Sequence, residues 1–168
     1  LGSTAYATMD CMEGMIRKEN AEVRLLKYKD QAEKFAEHYR GIKFSLVENT
    51  DELIDNADVI ISCITHTDEI ICPELSLFKP GALVVPVHTR GFQNCDTVFD
   101  KVFADDTGHV RGFVNFGKFK QFNEIGDVLG GSVPGRESDS ERILSYNIGL
   151  GLHDAYFAYM IYNMILQN

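Results

Sequence analysis

Val59-Ile60-Ile61-Ser62-Cys63-Ile64 is an apolar run without the polar alternation of a half-wet strand. A strand of that composition is covered on both faces, and such strands belong to parallel sheets flanked by helices. A second apolar run, Ala82 to Val87, follows the turn Lys79-Pro80-Gly81. Parallel neighbours cannot be joined by a tight hairpin, so the chain between strands must cross over, and such crossovers are right-handed.

The remaining segments fit that demand. Ala5, Met9, Met12 and Ile16 fall at helical spacing and predict a helix from Thr4 to about Lys18. Ala21 to Tyr28 reads as a strand with Val23, Leu25 and Leu26 as its apolar part. Asp30 is expected to cap a helix over Gln31 to Tyr39 that stops at Gly41. Ile42 to Val47 reads as a strand, and Thr50 or Asp51 as the cap of a short helix through Asn56. One short helix is expected over Pro73 to Phe78, and a strand over Lys101 to Ala104. Strands alternating with helices at short spacing indicate βαβ units, hence an α/β fold with a mainly parallel sheet and helices on both faces.

After Asp106 the periodicity is lost. The stretch from Val110 to Phe122 carries several phenylalanines and two glycines and matches no single pattern. Asn123 to Leu129 reads as a short helix ended by Gly130-Gly131, Ser132 to Asp139 as a loop, and Ile143 to Tyr146 as the last strand. Leu150 to Leu166 reads as a long helix, apolar around most of its circumference. Such a helix is either buried or laid against another domain or subunit.

The formal net charge of −9 weighs against nucleic acid as a partner, which needs a basic face. No apolar run has the length of a membrane span. Cys11, Cys63, Cys72 and Cys95 form no C-x-x-C pair, and Cys11 and Cys63 lie in apolar patterns. Reduced, partly buried thiols and a cytoplasmic setting are expected.

Four stretches carry candidate chemistry. Leu1-Gly2-Ser3-Thr4-Ala5 runs into a helix and matches the tail of G-x-G-x-x-G/A, with Gly2 as the second glycine and Ala5 at the third small position. The first glycine and its feeding strand are expected just before Leu1. A plain helix cap fits these residues equally well. Lys27-Tyr28-Lys29 ends the next strand, where basic residues suit a 2′-phosphate and a carboxylate would suit a 2′-hydroxyl. That favours NADP over NAD, unless the lysines are simply solvated. Thr65-His66-Thr67 follows the first buried strand, at the end that faces a ligand crevice. His66 has no metal-spaced partner, so no metal is expected. Val87-His88-Thr89-Arg90 follows the second buried strand. His88 is suited to proton transfer near neutral pH and Arg90 to binding a carboxylate or phosphate. The alternative is that His88 only packs at the strand end.

Three further elements occur in order: Glu124-Ile125-Gly126 through Gly131, Gly135-Arg136, and Gly149-Leu150-Gly151 through Asp154. With them, nearly the whole chain resembles the cofactor-binding domain of the ornithine cyclodeaminase/mu-crystallin family. The resemblance implies a Rossmann-like, doubly wound domain over residues 1–149, lacking its first strand in this chain. It also implies that the helix of residues 150–168 returns toward a second domain. That domain supplies dimer contacts and an Arg and a Lys that hold an amino-acid substrate, so a homodimer is implied. The family chemistry is hydride transfer at a carbon bearing nitrogen, through an imine. Members include ornithine cyclodeaminase, alanine dehydrogenase, ketimine reductases and amino-acid-linking dehydrogenases, as well as small-molecule binders related to mu-crystallin.

On this resemblance the nucleotide falls to Gly2, Ser3, Thr4 and Ala5, to Lys27, Tyr28 and Lys29, and to Thr65, His66, Thr67, Val87 and Asn147. Arg90 is the candidate for the substrate, an amino acid or imine, and His88 for acid–base work. His88 stands where the cyclodeaminase has an Asp. Gly91-Phe92-Gln93-Asn94 replaces the family's G-K-x-E, and Asn147 a common Ser. These departures weigh against ornithine cyclodeamination itself, and leave cofactor binding intact because it rests on backbone shape. A non-catalytic binding protein of the same fold is the alternative.

Overall fold

The computed structural model describes residues 1–167, and every strand pair in it is parallel. Asn168, the last residue of the expected closing segment, lies outside the described residues. The chain runs α1 (Ser3–Glu19), β1 (Glu22–Leu26), α2 (Gln31–His38), β2 (Lys43–Val47), α3 (Thr50–Ile54) and β3 (Val59–Ser62). It continues through β4 (Leu83–Pro86), β5 (Lys101–Ala104), α4 (Thr107–Val110), β6 (Phe122–Glu124), α5 (Ile125–Leu129), β7 (Ile143–Tyr146) and α6 (Gly151–Leu166). The sheet is in two pieces, β1-β2 and β3-β4-β7-β5-β6. One edge of β1 and one edge of β3 carry no strand among the described residues, and the parallel strands alternating with helices are the α/β arrangement expected.

Two apolar clusters hold the pieces. Ala5, Met9 and Ile16 form the buried stripe of α1 and meet Leu25 of β1 with Ala32, Phe35 and Tyr39. The second cluster lies on the larger sheet, with Val84, Val102, Leu144 and Tyr146 packed against Phe78, Phe92 and Phe99. Helix α1 links the halves, since Cys63 beyond β3 packs into its cluster and lies 3.7 Å from the Thr8 hydroxyl. The chain passes from the C-terminal end of α1 straight into β1, so β1 runs back toward the head of that helix. The contact of Thr8 with Cys63 sets the end of β3 against the first half of α1.

Several expectations need correction. Val59 is 45% exposed, so β3 is not covered on both faces along its length, and Ile64, 40% exposed, lies beyond the strand. Asn123 was expected in a helix, yet it lies in β6, which pairs with β5 through Phe103↔Asn123. Helix α3 is capped by Asn49, whose side chain accepts from the Glu52 N–H at 2.9 Å, rather than by Thr50 or Asp51. Asp30 stands at the cap of α2 but its carboxylate pairs with Lys34 at 2.5 Å instead. The expected helix over Pro73 to Phe78 shrinks to one 3₁₀ turn at Leu75–Leu77. Cys11 is exposed rather than partly buried, and the four cysteines are unpaired. None of the described residues of α6 is buried, and Leu152, Phe157, Ile161 and Ile165 all face outward. No helix among the described residues is long and apolar enough to cross a membrane.

The edge at which the strands begin is tied down by charge. Lys101, the first residue of β5, is 2% exposed at its side chain, and its Nζ donates to the Gly135 carbonyl at 2.6 Å and to Glu137 at 2.5 Å. Arg136 donates to the carbonyls of Glu141 at 2.5 Å and Gly81 at 2.9 Å. Gly81 has φ +84°, and a Cβ there would stand 2.3 Å from the Asp139 carbonyl oxygen. Only glycine fits that turn.

Candidate functional site

The other edge, where the strands end, gathers most of the candidate residues. Thr65, His66 and Thr67 after β3 form one wall of a cleft of about 250 Å³. Val87, His88, Thr89 and Arg90 after β4 form the second, and Ile148 after β7 closes it. The register that aligns Ser62 with Pro86 brings the two loops side by side. They are joined further on, where the Ile71 N–H donates to the Gly91 carbonyl at 2.8 Å. Gly91 has φ +116°, and a Cβ there would lie 2.5 Å from Ile71 Cδ1, so the loops close only over a glycine.

His88 is the buried member of the cleft, at 7% exposure. Its Nε2 lies 2.6 Å from the Ser62 hydroxyl. Its Nδ1 is buried with no hydrogen-bond partner among the described residues. Burial pushes the imidazole below its ordinary pKa, with the Arg90 main chain acting weakly the other way, so the ring is neutral at pH 7. Arg90 is not free. Its guanidinium donates to Asp68 at 2.6 Å, and His66 Nε2 lies 3.3 Å from the other oxygen of the same carboxylate. His66 first and Arg90 second hold Asp68 below the usual carboxylate range.

The head of α1 is a separate part of this edge. The first intrahelical bond to Gly2 comes from Ala5 at 3.0 Å, no side chain caps the helix, and its first turn has no acidic residue. Gly2, Ser3 and Thr4 are exposed and Ala5 is buried against the core. A Cβ on Gly2 would meet nothing within 4 Å among the described residues. An uncapped helix start with free N–H groups favours an anion. Those features fit a cofactor pyrophosphate.

The remaining candidates stand outside the cleft. Lys27, Tyr28 and Lys29 are exposed at the end of β1; Lys27 pairs with Glu48, and Lys29 sits 5.3 Å from the Tyr28 ring centre. The Asn147 amide is spent internally, donating to the Ser145 carbonyl at 3.0 Å, while its backbone N–H donates to the Pro86 carbonyl at 3.0 Å. The described residues contain no group of three His, Cys, Asp or Glu able to hold a metal.

Several residues of the site were not singled out from sequence. Ser62 was read as part of an apolar run, and its signal was a single hydroxyl at the ligand end of a strand. Asp68 and Asp105 read as loop carboxylates. Asp105 accepts from the Gly149 N–H at 2.5 Å, so it fixes the turn that launches α6. The motif residues Glu124 and Arg136 also shape structure, with Glu124 accepting from the Thr107 N–H at 2.8 Å.

The model of the ornithine cyclodeaminase/mu-crystallin family matches residues 2–168. The chain belongs to that family. It is 32% identical over 141 residues to N-((2S)-2-amino-2-carboxyethyl)-L-glutamate dehydrogenase of Staphylococcus aureus, covering 75% of this chain and 40% of that protein. It is 29% identical over 128 residues to the nodulation efficiency protein NfeD of Rhizobium meliloti, covering 72% and 40%. The chain thus spans about 40% of the length of these curated relatives. Its fold matches an archaeal alanine dehydrogenase dimer with bound NAD at a TM-score of 0.81 and 19% identity, covering 99% of this chain and 55% of that one.

Proposed function

We propose that this chain is the cofactor-binding part of an NAD(P)-dependent oxidoreductase that acts at a carbon bearing nitrogen in an amino acid or imine. The observation that carries the reading is the head of α1, a 17-residue helix that no side chain caps and whose first turn holds no acidic residue. It shares an edge with the cleft between the β3 and β4 loops. Two relatives bear the names of amino-acid dehydrogenases, which accords with this substrate class.

In this reading the backbone N–H groups of Ser3 and Thr4 bind the pyrophosphate, with Gly2 admitting it and Ala5 seating the helix. The cofactor, when bound, supplies or accepts the hydride. Thr65, His66, Thr67 and Val87 line its path across the sheet edge, and Asn147 shapes the far end through its backbone bond to Pro86. Lys27, Tyr28 and Lys29 favour NADP over NAD, because Lys29 remains available for a 2′-phosphate while Lys27 is shared with Glu48. Arg90 binds the substrate carboxylate after releasing Asp68, and His88 handles the proton. The apolar face of α6 packs on a second domain, through which the protein forms a homodimer in the cytoplasm.

A second reading draws on one specific observation. His88 lines the cleft, yet its Nε2 is engaged by Ser62 and its Nδ1 is buried without a partner among the described residues. That favours a small-molecule or NADPH binder of the same fold without turnover. The two are separated by assaying the full-length protein against amino acids and cyclic imines with either cofactor. Turnover that drops about 10²-fold or more in His88→Gln supports the oxidoreductase with His88 as its acid or base. Binding without turnover supports the binder. Full turnover in His88→Gln removes His88 from the chemistry.

A further inference from the structure

Ser62 is the one hydroxyl in β3 and occupies its last position. The Val87 N–H donates to the Ser62 carbonyl at 2.9 Å, which fixes the two strand ends against each other. One residue later His88 turns back over β3 and places Nε2 2.6 Å from Ser62 Oγ, a contact between residues 26 apart in sequence. The second ring nitrogen is sealed in, buried and without a partner. The Phe92 ring packs beside the imidazole at 6.3 Å between centres. Arg90 and His66 are both engaged with Asp68. Among the described residues, Ser62 is the one side chain hydrogen-bonded to the ring.

We propose that Ser62 is the positioning residue for His88 and the hydroxyl through which its proton comes and goes. The proposal rests on reading this edge as an oxidoreductase site. A hydroxyl suits the task because it donates and accepts at once and rotates between the two. When His88 acts as a base, the Ser62 Oγ–H bond breaks as the Nε2–H bond forms. Ser62 Oγ takes a proton in turn from the ligand or a water at the cleft. The reverse sequence delivers a proton, and Ser62 ends each cycle unchanged. Ser62 is half-buried where His88 is buried, so the hydroxyl is the more accessible of the two groups.

The test uses the full-length protein and the variants Ser62→Ala, Ser62→Thr and His88→Gln. Nitrogen NMR of the imidazole, with the His88 signals identified by their loss in His88→Gln, reads the contact without any turnover. The expected result is that Ser62→Ala moves the Nε2 resonance and alters the tautomer balance, while Ser62→Thr keeps both near the parent. In turnover, Ser62→Ala is expected to lower kcat about 10²-fold with KM nearly constant, and Ser62→Thr to recover most of the loss. An unchanged His88 spectrum in Ser62→Ala overturns the proposal. A moved spectrum with parental kcat overturns the relay. If the full-length protein binds no nicotinamide cofactor, the functional reading fails, and the imidazole spectrum still decides whether Ser62 governs His88.

Discussion

The two edges of the larger sheet are built from similar residues to opposite ends. At the edge where strands begin, polar groups are matched. Buried Lys101 meets a carbonyl and two carboxylates, with Glu141 at 3.3 Å completing the set. Arg136 stitches Gly81 to the loop before β7. At the edge where strands end, polar groups are left with capacity. His88 keeps one nitrogen unpartnered, and the head of α1 keeps its first N–H groups uncapped. A buried polar atom without a partner, such as His88 Nδ1, costs stability, whereas the exposed N–H groups at the head of α1 are met by water until an anion replaces it. The contrast separates an edge that holds the domain together from the edge to which binding is assigned in the proposed function.

The sharpest way to break that contrast is to remove Lys101. Lys101→Ala removes a buried cation from beside the Gly135 carbonyl and the Glu137 and Glu141 carboxylates, and is expected to cost about 3 kcal/mol of stability. Denaturant unfolding measures it, and cofactor affinity of the folded protein should be unchanged. A loss of affinity without loss of stability would abolish the division between the edges. Gly91→Ala tests the binding edge in the same currency. Its positive φ and the close approach of Ile71 predict a cost of about 2 kcal/mol, together with weaker ligand binding because the two cleft loops separate. Unaltered stability in Gly91→Ala would mean that the loops are not closed on each other.

The smallest effect is a pH dependence. Burial depresses the His88 pKa, so as pH falls below about 6.5 the unfolded chain takes up a proton that the folded chain refuses. Stability should fall with pH in that window until the folded ring itself protonates, and His88→Gln should flatten the slope. Unfolding curves between neutral and mildly acidic pH compare the two proteins. An identical slope would show that His88 is not desolvated in the fold.

Much of the frame is legible in the chain. Lys101–Ala104 and Ile143–Tyr146 are strands as their composition demands, because both are fully buried and nothing competes with the apolar pattern. Phe122–Glu124 is too short to show a period, and only its pairing with β5 makes it a strand. The exposure of α6 is not legible in its composition, which leads one to expect a helix either buried or laid against another domain or subunit. The site is less legible. His88 and Arg90 stand out by type and by position after a buried strand. Their partners Ser62 and Asp68 lie 26 and 22 residues away and are joined to them only by the register of β3 against β4. Sequence shows which residues have chemistry to offer, and the folded sheet shows that Arg90 is held and His88 enclosed.

The measurement that bears most directly on the binding edge is a titration of the full-length protein and its Ser3→Glu variant with NADPH and NADH. A carboxylate in the first turn of α1 suits the helix dipole, so the variant should fold at least as well as the parent. It would also occupy the place where an anion belongs. Saturable binding by the parent, tighter for NADPH, and binding about tenfold weaker in Ser3→Glu, equivalent to roughly 1.4 kcal/mol, is the expected result. Equal affinity in the two proteins, or no saturable binding of either cofactor by the parent, would contradict the assignment of this edge to a nicotinamide dinucleotide.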